Sequence, residues 1–473
     1  MNTRLMLLSF ALCSLGSVFG ATLEQAKSVY NKGDYAKALP MMEEQYKKSP
    51  KNASVNQWLG VCYYKTGQID KSKTYFEFAA SKNVVESNYY LALINYHRYD
   101  FAEAEACIEK YRAAMERAKK EVPQSVEALE KSVREASVML DHVEKIVIID
   151  SMAVDKERFF KAYNISGSCG SLNGDGVLPE SLQNKGIDMV YASESGDRLM
   201  WSMADGDAKT DVYEMMRLYG GEWDKPVRLG AEVNGEGNNI YPFVMQDGVT
   251  LYYACDGGNT IGGYDIYMTR KDIETGEYLQ PQNLGMPYNS PYDDYLLVID
   301  EERNLGWWAT DRNQIPDKIT VYVFIPNATR VNYSADDSDI VKRAMAGDYY
   351  STWEGKDYSP YVAKLHELPT NDFVSRDDFT FNVYNGIVYR NLSEFKTQEG
   401  FSMMEELLAM ERKFSENSMR LKQMRKKYEL ASASEKSAMK NSILQLENVI
   451  DRSRVDIKWM ENSIRKVEKS TNN

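Results

Sequence analysis

The spacing of apolar side chains changes character along the chain. Beyond residue 20 it is helical. Gly33-Asp34-Tyr35, Ala38, Met42 and Pro50 return 34 residues later as Gly67-Gln68-Ile69, Ser72, Phe76 and Val84. A third copy, two residues short, reads Tyr99-Asp100-Phe101, Ala104 and Ile108, and the segments before the three turns carry Ala26 and Tyr30, Gly60 and Tyr64, Ala92 and Tyr96 at matching places. Small residues let antiparallel helices approach and large ones fill the holes between them, so the pattern predicts three helix pairs from Ala21 to Arg112. A longer helix, about Val122 to Glu144, is expected to cap the stack.

From Lys145 the spacing becomes that of strands. Lys145-Ile146-Val147-Ile148-Ile149-Asp150 is an apolar, β-branched run. Two later segments match at an offset of 55: Gly221 to Gly230 with Gly276 to Gly285, Asn234 with Asn289, and Tyr253-Ala254-Cys255-Asp256 with Trp308-Ala309-Thr310-Asp311. An earlier unit echoes them through Leu199-Met200-Trp201-Ser202 and Asp211-Val212-Tyr213. Units of roughly fifty residues with aromatic-bearing strands suit a four-stranded blade. Three units are clear between Met189 and Asn327, and the third lacks the paired glycines of the second. Lys145 to Ser193 is expected to give a closing strand, and Phe379 to Tyr389 a hairpin turning at Asn385-Gly386. The length then suggests about five blades.

From about Gly400 heptads take over. Met403, Leu407, Met410, Phe414, Leu421, Met424 and Tyr428 form one series, broken by Asn417. After Ser432-Ala-Ser-Glu435, which reads as a capping box, Met439, Ile443, Leu446, Ile450, Ser453, Ile457, Met460, Ile464 and Val467 form a second. The two predict an antiparallel coiled-coil hairpin, either a solvated stalk or an element for docking or self-association.

Composition and charge narrow the classes. A chain of 473 residues needs more than one core, and 43 % hydrophobic and 12 % aromatic residues supply them. The net charge of −13 disfavours phosphate backbones, so no nucleic-acid partner is expected, nor an anionic membrane surface. Arg4, the apolar run Leu5 to Leu15 and Val18-Phe19-Gly20 read as a cleaved secretory signal over residues 1–20. A lipoprotein signal at Cys13 fits less well, because Leu12 is bulky before the cysteine. No further stretch of eighteen apolar residues follows, so no membrane span is expected. Cys62, Cys107, Cys169 and Cys255 fit no zinc or redox spacing and read as free, buried thiols.

Candidate chemistry is sparse. The only histidines are His97, His142 and His366, and no nucleophile, Walker or zinc motif is present. Asp256 and Asp311 read as turn residues rather than catalytic ones. The acidic loop Asp205, Asp207, Asp211 lacks the twelve-residue frame of a calcium loop, so no metal is expected, with calcium binding left open. No catalytic residue and no cofactor is expected. Tyr63, Tyr64, Tyr89, Tyr90 and Tyr96 form the candidate partner-binding surface, with core packing as the competing reading.

Two resemblances rest on these residues. The 34-residue units resemble tetratricopeptide repeats, which implies an α-solenoid whose concave face accepts a peptide or helix. The Asp247-Gly248, Leu251 to Asp256, Gly262 to Met268 and Pro281 to Gly285 series resembles the WD-repeat-like units of TolB-type β-propellers. Together with the signal, this order is similar to cell-envelope proteins of Bacteroidetes type, among them periplasmic proteins linked to type IX secretion. Their OmpA-like peptidoglycan-binding domain has no counterpart here. The expected architecture is therefore multidomain α + β: signal 1–20, helical repeats 21–144, β-propeller 145–395 and coiled-coil hairpin 396–473. The resemblance implies a non-catalytic scaffold or adaptor, periplasmic or outer-membrane-associated, with envelope proteins as partners and possible self-association through the hairpin. A propeller that binds glycan or peptide is the alternative, and a propeller hydrolase is third.

Overall fold

A computed structural model describes residues 22–204, 209–347, 352–368, 381–384, 387–389 and 395–470. The expected signal at 1–20 lies outside the described residues. The chain divides into two compact units, Met1–Ser137 and Val138–Asn473.

The first unit is built from helix pairs: α1 (Leu23–Asn31) with α2 (Tyr35–Lys48), α3 (Ala53–Lys65) with α4 (Ile69–Ser81), and α5 (Val85–His97) with α6 (Phe101–Ala118). α7 (Gln124–Leu140) follows. Caps fix the helix starts: Thr22 with Gln25 forms a capping box, and Asp34, Asn52 and Asp100 each accept a backbone N–H of the first turn. Two turns between helices use a left-handed glycine, Gly33 and Gly67, while the third forces Tyr99 into that region at φ 61°. The small positions Ala26, Ala38, Ser72, Ala92 and Ala104 are wholly enclosed, as are the large ones Met42 and Phe76. At Gly60 a Cβ would stand 2.8 Å from the Phe76 ring, so only glycine lets α3 and α4 approach this closely.

The second unit opens with β1 (Val147–Asp155), followed by β2 (Ser171–Asn173), β3 (Val190–Ala192), β4 (Arg198–Ala204), β5 (Thr210–Met216) and β6 (Val227–Arg228). Then come β7 (Asn239–Val244), β8 (Thr250–Cys255), β9 (Asp265–Arg270), β10 (Gln282–Asn283), β11 (Asp294–Asp300), β12 (Leu305–Thr310) and β13 (Lys318–Ile325). They form three antiparallel sheets, ordered β2-β3-β4-β5-β6, β7-β8-β9-β10 and β11-β12-β13-β1. The first strand of the unit is thus the outer strand of its last sheet, pairing Val147 with Ile325 through Asp155 with Lys318. β7 packs against β3, β4 and β5, and β11 against β7, β8 and β9.

Register repeats with the sequence. Asn239 faces Cys255 as Asp294 faces Thr310, and Tyr253 faces Tyr267 as Trp308 faces Tyr322. Each sheet centres on one cross-strand aromatic stack: Trp201 on Tyr213 (6.1 Å between ring centroids), Tyr253 on Tyr267 (6.0 Å) and Trp308 on Tyr322 (4.7 Å). Such pairs add about 0.5–1.5 kcal/mol beyond their burial.

Three sheets of four or five strands stand among the described residues where about five blades were expected. The expectation divided chain length by repeat length, but the residues after the third sheet go elsewhere. They form α8 (Ile340–Met345), α9 (Ser359–Glu367) and the hairpin β14 (Phe381–Tyr384) with β15 (Ile387–Tyr389). Its turn, Asn385-Gly386, lies outside the described residues.

That hairpin packs its apolar face on two long helices, α10 (Gln398–Leu430) and α11 (Ala433–Ser470). Phe381, Val383 and Tyr389 share a core with Met404, Leu407, Met460 and Ile464, while Leu421, Ile443 and Ile450 seal the far end. At the start of α11 the Glu435 carboxylate accepts from both the backbone N–H and the hydroxyl of Ser432, the reach from N3 back to the N-cap that the expected capping box calls for. The Glu468 carboxylate is enclosed and accepts from Tyr389 Oη (3.0 Å), Lys396 N (3.1 Å), Thr397 N (3.2 Å) and Thr397 Oγ1 (2.6 Å). Burial alone would raise its pKa, but the bonds from Thr397, Lys396 and Tyr389 outweigh burial and leave it lowered.

Among the described residues no helix is long and apolar enough to cross a membrane. Cys62, Cys107, Cys169 and Cys255 are free and buried.

Candidate functional site

The first helices of the pairs present aromatic side chains that their own cores do not enclose. Tyr30 of α1 lies edge-on to Tyr35 at 5.5 Å and reaches Trp58 of α3 at 6.5 Å. Tyr64 of α3 meets Tyr90 of α5 edge-on at 5.3 Å, with Tyr89 beside it at 5.7 Å. Tyr90 anchors this group by stacking flat on Phe76 at 4.7 Å. Tyr30, Trp58, Tyr64, Tyr89 and Tyr90 are all half-buried, so the row offers ring area to solvent while its bases are held. The repeat places Tyr30 and Tyr64 34 residues apart, at the same position of successive pairs.

The electrostatics of the row are mild. Lys27 stands over the Trp58 ring at 5.3 Å and Lys65 over the Tyr64 ring at 5.9 Å. Burial pushes the Tyr90 phenol up to about 12, with the nearby phenols Tyr35 and Tyr89 adding to it. Burial raises Tyr30 in the same way. Both hydroxyls stay protonated at physiological pH. Rigid aromatic faces with neutral hydroxyls suit contact with a polypeptide, where ring area and a few hydrogen bonds carry recognition.

The five tyrosines singled out in the sequence do not form one stripe. Tyr64, Tyr89 and Tyr90 come together on the row. Tyr63 points inward, stacked on Tyr75 at 5.4 Å with its hydroxyl donating to Glu43 Oε1 at 2.5 Å. Tyr96 is 3 % exposed and packs against Phe101. Sequence reasoning missed Tyr30 and Trp58 as members of the row, although Tyr30 carried a signal by sharing the repeat position of Tyr64.

In the sheets, the repeated aspartates fasten backbone. Asp256 accepts from Asn238 N at 2.5 Å and Asn238 Nδ2 at 2.7 Å, and Asp311 accepts from Asp293 N at 2.9 Å. Each ties the end of a second strand to the start of the first strand beside it. Asp211 is held by Arg228 Nε at 2.6 Å and faces Lys209 Nζ at 3.6 Å. Asp205 and Asp207 lie outside the described residues. Among the described residues no group of three or more His, Cys, Asp or Glu is placed to hold a metal ion.

Residues 31–95 match the family model of the tetratricopeptide repeat, the segment that carries α2, α3, α4 and most of α5. No protein of curated function matches the chain. The helical repeats are of the tetratricopeptide type, which points to protein–protein interaction. The rest of the chain is a strand-rich region followed by long helices.

Proposed function

We propose that the protein is a non-catalytic scaffold whose helical repeats hold a partner polypeptide on the row Tyr30, Trp58, Tyr64, Tyr89 and Tyr90. The observation that carries this reading is the half-exposure of those rings on the first helices of repeats of a protein-binding type. The three sheets, with β1 returning to pair with β13, are read as a propeller-like body that spaces and presents the binding elements. Engagement of Asp256 and Asp311 by backbone amides supports a structural rather than a catalytic use of the repeat. Placement in a bacterial cell envelope rests on the apolar run Leu5 to Leu15 and on the resemblance in domain order.

The test is capture of partners from crosslinked cells with the full chain and with a chain lacking residues 21–112. A specific partner that disappears with the deletion is the expected outcome. Partners retained at full yield after the deletion would contradict the assignment to the helical repeats. Hydrolytic activity abolished by a single Asp or Glu substitution in the sheets would contradict the non-catalytic reading.

A further inference from the structure

The second and third sheets share one register, yet one of them fills a cradle that the other leaves open. In the third sheet the side chain of Arg312 folds into its own blade and is 8 % exposed. Its Nη2 donates to Asp294 Oδ1 at 2.7 Å and to the Tyr288 carbonyl at 2.8 Å, and its Nε to Thr310 Oγ1 at 3.0 Å. Its Nη1 reaches the Ala344 carbonyl at 3.4 Å, and the guanidinium lies 5.9 Å from the centre of the Tyr322 ring.

Subtracting the repeat offset of 55 from Tyr288, Asp294, Thr310, Arg312 and Tyr322 gives Val233, Asn239, Cys255, Gly257 and Tyr267. All five line a cavity of about 440 Å³ in the second sheet. The arginine has become a glycine. A Cβ at Gly257 would stand 2.2 Å from the Glu236 carbonyl oxygen, so this backbone admits no side chain of its own into the cradle.

Of the side chains that receive Arg312, Asp294 is replaced by the neutral acceptor Asn239 and Thr310 by Cys255, whose thiol is turned to the Glu236 carbonyl. Asn239, wholly enclosed, holds its amide nitrogen toward the Gly237 carbonyl at 3.3 Å and leaves Oδ1, the counterpart of the Asp294 carboxylate, without a hydrogen-bond partner. The hydroxyl of Tyr267, 9 % exposed, is also without one. A buried acceptor left unpaired destabilises the fold, and a donor-bearing ligand would relieve that cost. Negative charge has moved from the buried Asp294 position to the exposed Glu232 and Glu236 that also line the cavity.

We propose that this cavity recognises a guanidinium group, that of an arginine on a partner polypeptide, seated as Arg312 is seated in the third sheet. The planar fork would take Asn239 Oδ1 as acceptor, lie against Tyr267, and meet Glu232 and Glu236 at the rim. The site is separate from the aromatic row of the helical repeats and does not depend on that row binding anything.

Calorimetric titration of the full chain with Nα-acetyl-arginine amide tests this at low salt, beside the citrulline and lysine amides. Saturable one-to-one binding of the arginine compound, at least tenfold tighter than either of the others, is expected. Tyr267→Phe should weaken it several-fold and Asn239→Leu should abolish it, while Tyr64→Ala/Tyr89→Ala leaves it unchanged. No saturable binding by the wild-type protein, equal binding of citrulline, or unchanged binding in both pocket variants would overturn the proposal. Free arginine binding more tightly than its blocked amide would overturn the polypeptide source.

Discussion

The helical repeats and the sheets each repeat an aromatic position at fixed spacing, and they use it in opposite ways. In the sheets Trp201, Tyr253 and Trp308 occupy one position and are at most 3 % exposed, each stacked on its cross-strand neighbour. In the helices Tyr30, Tyr64 and Tyr96 occupy one position; the first two remain half-exposed and only Tyr96, in the last pair, is enclosed. A sheet covered on both faces encloses whatever its central strand carries. A stacked helix pair covers its sides and leaves the face of its first helix open. A repeated aromatic position therefore means packing throughout the sheets but available surface in the first two helix pairs, with the decision made by tertiary geometry.

Substitutions at equivalent positions break or sharpen that contrast. Trp308→Ala removes a wholly enclosed ring and is expected to destabilise the second unit by about 3–5 kcal/mol, read from the urea midpoint of its transition. A loss below about 1 kcal/mol would place that ring with the helical tyrosines rather than in a core. Gly60→Val drives side-chain carbon into the Phe76 ring and should cost the helical repeats about 1–3 kcal/mol by the same measurement.

Acidity separates regions as well. Burial raises Asp265 to about 7 and Asp294 to about 6, the latter despite the opposing Arg312 charge. An unfolded Asp titrates near about 3.9, so between the two values the folded state binds more protons. The contribution of these groups is full below the unfolded value and is lost as pH rises through the folded one. Glu468, lowered, contributes above its unfolded value of about 4.3 and loses that contribution as pH falls. The urea midpoint of the sheets is thus expected to fall between pH 5 and pH 7.5, and Asp265→Asn to flatten that fall. A midpoint that rises over the same interval would contradict the raised value.

Much of this was readable from residue spacing. Ala26, Ala38, Met42, Phe76 and Ala104 announced the helix pairs because interhelical distance restricts side-chain size, and all five are enclosed. The match of Tyr253 with Trp308 announced the sheets because register repeats with the chain. The number of sheets was not readable from length, since β14 and β15 found their apolar partners on α10 and α11. Nor was the division of the tyrosines: Tyr63 and Tyr64 are neighbours in sequence, and a turn of about 100° around the helix sends one inside and the other out. The pairing of Gly257 with Arg312 stood in the aligned repeats as a mismatch. Its meaning came from the register that sets Asn239 where Asp294 stands.

The sharpest test is the double variant Tyr64→Ala/Tyr89→Ala, measured for both the unfolding midpoint of the helical repeats and affinity for the captured partner. Surface use predicts a midpoint within a few degrees of wild type and affinity reduced at least tenfold, about 1.4 kcal/mol or more. A midpoint collapsing as Trp308→Ala does in the sheets, with affinity of the remaining folded protein unchanged, would show that these rings hold the fold and nothing else.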